Sequence, residues 1–402
     1  MKYIVILADG MADYKVEMLG NKTPMQYAKK YNFDFFASKG EVGMVSTIPQ
    51  GMPPGSDTAN LAVMGYNPVV YYSGRSPFEA ASMGVEMADT DITFRCNIVT
   101  LSQGENYRDR VMLDHSSDEI TTEEARVLIE DLKKELENEY MKLYPGISYR
   151  HLLVWHDAPT GYKLIPPHDI IGRKVSDYLP SGENSPVILE MMEKSVPILE
   201  NHPVNLSRMK RGLKPANSMW IWGEGKKPLL SSFSEKYGLQ GTVISAVDLI
   251  KGIGKCAGLK VVEVEGATGN VHTNYLGKAR AAVEALKAGD DFVYIHIEAP
   301  DECGHRDEME NKVKSIELID EKIAGFIKEE MEKWGMDYKL MILPDHPTPL
   351  ALRTHTSEPV PFMIYDSTDV RNNTCSFDEE GAVLSGLRFD EGYRLMDYFI
   401  GE

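Results

Sequence analysis

Three apolar runs that do not alternate with polar residues constrain this chain most: YIVILA at 3–8, FVYIHI at 292–297 and LMIL at 340–343. A strand with one wet face alternates apolar and polar side chains. A strand covered on both faces does not, and such strands belong mostly to parallel sheets flanked by helices. Each run also leads into acid: Asp9 in YIVILADG, Asp301 in EAPDECGH and Asp345 in LPDHPTP. A parallel sheet aligns the carboxyl ends of its strands, and open α/β sheets bind ligands there. Asp-Gly at 9–10 also reads as a simple turn, but three runs ending alike at one sheet edge favour a site.

The surrounding pattern supports βαβ units. TVISAV (242–247) leads to DLIKGIGKCAG, LKVVEVEG (259–266) leads to NYLGKARAAVEALKAG, and FVYIHI leads to a helix over about 309–333. Strand and helix periods alternating in this way imply a parallel sheet with helices on both faces. The character changes near residue 89. DITFRCNIVTL (91–101) and YRHLLVWH (149–156) read as strands, ITTEEARVLIEDLKKELENEY (120–140) as a charged amphipathic helix, and IPPHD (165–169) as a turn. A further helix over 187–204 is interrupted by Pro197, and ANSMWIWGEG (216–225) resumes a buried strand. The expected architecture is α/β. A discontinuous core of residues 1–88 and 213–402 carries a mostly parallel sheet, and an α+β cap over 89–212 is inserted into it.

The net charge of −18 and the lack of a Lys/Arg block exclude a broad nucleic-acid or membrane-binding surface. No apolar stretch approaches the roughly 20 residues that span a bilayer. Lys2 precedes only a short apolar run, too short for a secretory core. Cys96, Cys256, Cys303 and Cys375 form no CxxC pair, so the expected compartment is the cytoplasm, with neither disulfides nor a zinc knuckle. No P-loop occurs.

The chemistry-bearing residues cluster in four segments. PPGSDTAN (53–60) closes a Pro/Gly-rich loop and opens a helix. Ser56 or Asp57 can cap that helix; alternatively, Ser56 is a nucleophile whose phosphoryl group rests against helix N–H groups. Asp301 and His305, four residues apart, share a face if the chain turns helically. Asp345 and His346 are adjacent and can reach either side of a site, and His355 follows in RTHT. Three carboxylates, three imidazoles and a hydroxyl form the inventory of a two-metal phosphoryl-transfer site, with ions ~4 Å apart. Mixed oxygen and imidazole ligands favour Mn2+, Zn2+ or Co2+ over an all-oxygen Mg2+ site.

These motifs, in this order, resemble the alkaline-phosphatase superfamily, and within it the cofactor-independent phosphoglycerate mutases of archaeal type. The anchors run over nearly the whole chain: LADGMAD, PPGSDTANLAVMGY, GRSPFEA, FRCN, YRHLLV, PPHD, HPVN, APDECGH, LPDHPTP, RTHT and PVPF. The resemblance implies an alkaline-phosphatase-like core and two divalent ions, Mn2+ ahead of Zn2+, Co2+ or Mg2+. It implies that Asp9, Ser56, Asp345 and His346 hold one ion, that Asp301, His305 and His355 hold the other, and that Ser56 is phosphorylated. The partner it implies is a small phosphorylated metabolite of glycolysis, held by a closing cap. Arg150 and His168 of the cap, with Arg75 and Lys278 of the core, are the candidates for gripping it.

The chain also departs from that pattern. It reads LDHSSDEIT (113–121) where the archaeal mutases carry an arginine-bearing, DRRAGRI-like segment. Trp222 replaces an arginine and Glu298 a lysine. ANSMWIWGEG, ISAVDLIKGIG and HIEAPDECGH resemble a bacterial branch proposed to be homoserine kinases, whose substrate carries an ammonium that a carboxylate such as Glu298 would suit. Interconversion of 3- and 2-phosphoglycerate through phospho-Ser56 is therefore the leading expectation, and homoserine phosphorylation on the same core the alternative. A phosphatase or a non-catalytic metal or phosphate binder comes after these.

Overall fold

The strands of the computed structural model, which describes residues 1–401, are β1 (Lys2–Ala8), β2 (Glu41–Val45), β3 (Ile92–Leu101), β4 (Met112–Asp114), β5 (Met141–Tyr144), β6 (Arg150–Trp155), β7 (Ser218–Lys226), β8 (Gly241–Ile244), β9 (Lys260–Val262), β10 (Phe292–Ile297), β11 (Tyr338–Leu343), β12 (Val360–Asp366) and β13 (Arg388–Phe389). The chain divides into two compact units: Met1–Tyr72 with the chain from Leu229 onward, and Ser73–Pro228.

The first unit is built on an eight-stranded sheet in the order β13-β2-β12-β11-β1-β10-β8-β9. Parallel pairing runs unbroken from β11 through β1, β10 and β8 to β9, while β12 runs antiparallel to both β11 and β2. The non-alternating runs are thus the sheet's centre. Ile4, Ile6, Ile295, Ile297, Leu340 and Ile342 turn to one face and pack against Ala279, Val283, Ile316, Ile323 and Ile327 of the helices on that side. On the other face the helix Asp248–Cys256 lies so close to β8 that a Cβ on Gly254 would stand 2.6 Å from Val243 Cγ2. Gly254 of GIGKCAG therefore serves helix–sheet packing, while Gly258, at φ +70°, takes the turn after the helix.

Two helices differ from the sequence-based expectation. The helix expected over 309–333 is continuous in direction but contains a π-helical segment, Ile319–Gly325, between Met309–Leu318 and Phe326–Trp334. Within it, buried Asp320 accepts from the Phe33 backbone N–H at 2.7 Å and from Asn32. It thereby satisfies the start of the helix Tyr31–Lys39, whose own N-cap residue makes no capping bond. Pro197, in turn, does not break its helix, which runs from Ser185 to Leu199. It lies close to the C-terminal end, where one missing N–H costs a single bond.

The second unit carries an antiparallel sheet, β4-β3-β6-β5, with β7 also paired to β3. Phe94, Ile98, Leu153 and Trp220 pack there against Leu128, Ile129 and Leu132 of Thr122–Leu136 and Ile188 and Met192 of Ser185–Leu199. Thr121 caps the first of these helices through the Glu124 N–H. Residues 73–88 and 213–228, expected in the core, belong to this unit: β7 pairs along β3 from Val99↔Ser218 to Ile92↔Lys226, and the helix Ser76–Ser82 is tied to β3 by Ser76 Oγ donating to the Thr93 carbonyl at 3.0 Å and by the Glu79–Arg95 ion pair. The four cysteines are free thiols. Among the described residues no helix is long and apolar enough to cross a membrane.

A buried ion pair fastens the loops that follow β1 and β11. Lys312 Nζ, fully buried, reaches Asp13 Oδ2 at 2.7 Å and donates to the Thr348 carbonyl at 2.8 Å, while Asp13 accepts from the Leu350 N–H. Removing one member of a buried pair leaves the other charged and unpaired. Lys312→Met should therefore cost about 3–5 kcal/mol, read as a lowered midpoint in urea unfolding; an unchanged midpoint would show that the pair is dispensable.

Candidate functional site

Because β11, β1 and β10 are neighbours in register, their carboxyl ends are level: Leu7 pairs with Leu343, and Ala8 with Ile297. Asp9 follows β1 directly, Asp345 follows β11 after Pro344, and Asp301 sits in the short helix Ala299–His305 after β10. All three carboxylates are buried, with exposures of 2%, 0% and 6%. Burial first, then the negative charges of Asp345, Asp301 and Glu298, push the Asp9 carboxyl well above the usual range. Its Oδ1 is buried and accepts no hydrogen bond from any described residue.

Asp9, Asp345 and His346 offer ligand atoms within 4.8 Å of one another. His346 Nε2 lies 3.6 Å from Asp9 Oδ1, 3.4 Å from Asp345 Oδ2 and 3.2 Å from Ser56 Oγ. Ser56 Oγ is also 3.4 Å from Asp9 Oδ2. Ser56 is the first residue of the helix Ser56–Val63, whose N-cap position belongs to Gly55, and it makes no capping bond. The helix-cap reading of Ser56 therefore does not hold: its hydroxyl is turned to the carboxylates instead. Asp345 is held by N–H groups of Gly10 (3.1 Å) and His346 (2.9 Å) on Oδ1 and by Asn60 Nδ2 (3.0 Å) on Oδ2. Gly10 has φ +61°, and a Cβ there would lie 2.7 Å from Asp301 Oδ1, so glycine is needed twice over.

The second group surrounds Asp301. His305 Nε2 lies 3.3 Å from Asp301 Oδ2, His355 Nε2 lies 3.3 Å from Asp301 Oδ1, and the two Nε2 atoms face each other at 2.9 Å. His305 Nδ1 donates to the Arg353 carbonyl at 3.0 Å, which leaves Nε2 to face the site. Two ring nitrogens so close must share a proton or a cation. Burial raises the Asp301 carboxyl, but hydrogen bonds from His305 and His355 outweigh it and hold it well below the usual range. The bond to Asp301 raises His305 to about 9, and burial lowers His346. His346 also approaches this group, its ring 4.1 Å from that of His355, so Asp301, His346 and His355 form a second potential ligand cluster. Buried carboxylates, imidazole nitrogens and an orphaned carboxylate oxygen fit divalent cations by donor chemistry.

The expected substrate-gripping residues are placed variously. Lys278 is buried in the first unit, where Nζ donates to the His296 carbonyl at 2.9 Å and burial lowers it to about 8. Glu298 is half-buried beside Gly269, and its charge acts on both Lys278 and Asp9. Arg75, Arg150 and His168 lie in the second unit. Arg75 pairs with Glu79 at 3.1 Å, the Arg150 guanidinium lies 5.2 Å from the Tyr149 ring, and His168 stands edge-on to Trp222 at 5.4 Å. Trp222 donates to Asn97 Oδ1 at 3.0 Å and lies under Arg95, whose guanidinium is 4.3 Å from the ring. Arg95, within the FRCN anchor, was not singled out from the sequence. Nor were Asn60, Thr348, which donates to Asp301 Oδ1 at 2.5 Å, or His296, 2.9 Å from Asp9. A histidine inside an otherwise apolar strand was the one available signal, since a buried polar group needs a partner.

A mostly parallel sheet whose strand ends gather buried acids, imidazoles and a helix-start serine is an arrangement suited to metal-assisted phosphoryl transfer. The family model described as 2,3-bisphosphoglycerate-independent phosphoglycerate mutase matches residues 37–205. A Geobacter sulfurreducens protein named probable 2,3-bisphosphoglycerate-independent phosphoglycerate mutase is 48% identical over 401 residues, covering 100% of both chains. A solved protein of Pyrococcus horikoshii is 30% identical with a TM-score of 0.83, covering 100% of this chain and 96% of its own. The cofactor-independent phosphoglycerate mutase of Thermoplasma acidophilum is 26% identical with a TM-score of 0.65, covering 100% and 99%. The chain belongs to the 2,3-bisphosphoglycerate-independent phosphoglycerate mutase family. These relatives lend the homoserine kinase alternative no support.

The raised His305 gives the metal-free protein a pH signature. Its folded value of about 9 exceeds the ordinary 6.5, so its contribution to stability is fully present below about pH 6.5 and is lost as pH rises through about 9. In chelator-treated protein, the melting-temperature gap between wild type and His305→Gln should shrink from pH 6.5 to 9.5. A gap that widens would contradict the His305–Asp301 pairing.

Proposed function

We propose that this protein interconverts 3-phosphoglycerate and 2-phosphoglycerate without 2,3-bisphosphoglycerate, through phosphorylated Ser56. The observation that carries this reading is the Ser56 hydroxyl: relieved of capping, it lies 3.4 Å from Asp9 and 3.2 Å from His346 at the sheet's carboxyl edge, in a chain of the mutase family. Asp9, Ser56, Asp345 and His346 would hold one divalent ion and Asp301, His305 and His355 the other, with Mn2+ the best match to mixed oxygen and imidazole donors. When bound, such ions neutralise phosphate oxygens and make the hydroxyl more nucleophilic.

The chain's own residues account for the remaining steps. Ser56 Oγ forms a bond to phosphorus as the bond to the substrate's O3 breaks, and the proton that leaves Ser56 is balanced by the one O3 gains. Glycerate reorients, its O2 takes the phosphoryl group, and Ser56 recovers its proton. The N–H groups opening Ser56–Val63 would receive oxygens of a phosphoryl group carried by Ser56. For the second unit, Ser73–Pro228, the family resemblance implies the role of a substrate-binding cap. Arg75, Arg150 and His168 are its candidate substrate-binding groups, and Arg95 is held by Glu79 at 3.0 Å and by the Trp222 ring. We place the enzyme in the cytoplasm, in keeping with its free thiols.

Phosphorus NMR of Mn2+-loaded protein with 3-phosphoglycerate alone should show 2-phosphoglycerate. Ser56→Ala should lose turnover by at least about 10³-fold, as expected when a nucleophile is removed, while still binding Mn2+ through the remaining side chains. Turnover retained in that variant, or O-phosphohomoserine formed from homoserine and a nucleotide with no mutase activity, would overturn the proposal.

A further inference from the structure

A relay across three adjacent strands ends on Asp9. Ser245 follows β8, His296 lies on β10 and Asp9 follows β1, and these strands are neighbours in the sheet. All three residues are buried, with exposures of 2%, 0% and 2%. Ser245 Oγ accepts from the Val247 N–H at 3.0 Å, so its own proton is free to be donated. His296 Nδ1 lies 3.2 Å from that oxygen, and His296 Nε2 lies 2.9 Å from Asp9 Oδ2. With Asp9 ionised, as a cation ligand must be, its oxygens only accept, which sets the direction: Val247 N–H to Ser245, Ser245 O–H to Nδ1, Nε2–H to Asp9 Oδ2. The His296 backbone is held in turn, its carbonyl accepting from Lys278 Nζ at 2.9 Å.

The relay spends one oxygen of Asp9 and leaves the other bare. Oδ2 receives the imidazole N–H, while Oδ1 accepts no hydrogen bond from any described residue and points toward His346 at 3.6 Å. We infer that Ser245 and His296 are positioning residues that lock the Asp9 carboxylate so that Oδ1 is the atom presented to a divalent cation. This rests on the reading that Asp9 binds such a cation. Without His296 the carboxylate can rotate and exchange its oxygens, and the donor geometry is lost. Neither residue touches the reacting atoms. Their effect should appear in cation affinity at one site, which a purely structural role would not single out.

The test is calorimetric titration of Mn2+ into chelator-stripped full-length protein, with melting temperatures of the metal-free forms measured alongside. His296→Leu should weaken one of two Mn2+ sites by about 10–100-fold, the usual effect of losing a group that orients a ligand, and leave the other unchanged. His296→Gln, which can place an amide N–H near the ring Nε2 position, should recover most of that loss. Ser245→Ala removes a single hydroxyl and should weaken the same site by a smaller factor; should His296→Leu not fold, this variant carries the test alone. Wild-type affinity at both sites in a folded Ser245→Ala or His296→Leu protein would overturn the relay. Wild-type protein that binds no Mn2+ would remove the cation reading of Asp9 and the relay with it. Protein that binds Mn2+ and shows the site-specific loss, but does not convert phosphoglycerate, would refute the proposed reaction and leave the relay standing.

Discussion

Mutual repulsion of buried carboxylates is the constraint around which the first unit is arranged. Two like charges about 4 Å apart repel by about 4 kcal/mol at an effective dielectric of about 20, and Asp9, Asp301 and Asp345 stand together out of water. Nothing local to any one strand would place them so. They are brought together because three apolar strands pair in parallel and in register, and the burial that stabilises those strands delivers their acids to one edge. The surroundings then answer the charge. Backbone N–H groups and Asn60 serve Asp345, two imidazoles and Thr348 serve Asp301, and His296 serves Asp9.

The same arrangement explains features that otherwise look like local irregularities. Gly10 adopts a left-handed conformation so that its N–H can reach Asp345 while the chain passes close to Asp301. Arg353 and Asp307 also have positive φ and are joined by an ion pair at 2.6 Å; the Arg353 carbonyl set by this bend fixes the orientation of His305. The Lys312–Asp13 pair lies just behind, so the loops that carry the acids are tied to a helix.

Much of this was legible in the sequence. Non-alternating runs revealed the central strands because strands covered on both faces have no need of alternation. The four-residue spacing of Asp301 and His305 placed them on one helical face, as found. What escaped depended on partners distant in sequence. β7 reads as a buried strand in either unit, and only its pairing with β3 assigns it. The role of Asp320 depends on a helix start almost 290 residues away. Ser56 had the composition of a cap, and the extended Gly55 before it, which takes the cap position, leaves no mark of its own in the sequence. Arg95 sits in a strand with ordinary patterning, and Trp222 beneath it is brought there by a bulge in the β3–β7 pairing.

The facing nitrogens of His305 and His355, 2.9 Å apart beside Asp301, also bear on how the proposed second cation would enter. With His305 raised to about 9, that corner of the metal-free protein holds a proton at neutral pH. If this corner takes a cation, as proposed, loading would be an exchange in which the incoming cation displaces that proton. The occupancy of this corner would follow the ratio of free metal to protons in its surroundings, so a modest acidification could empty it while every ligand stays in place.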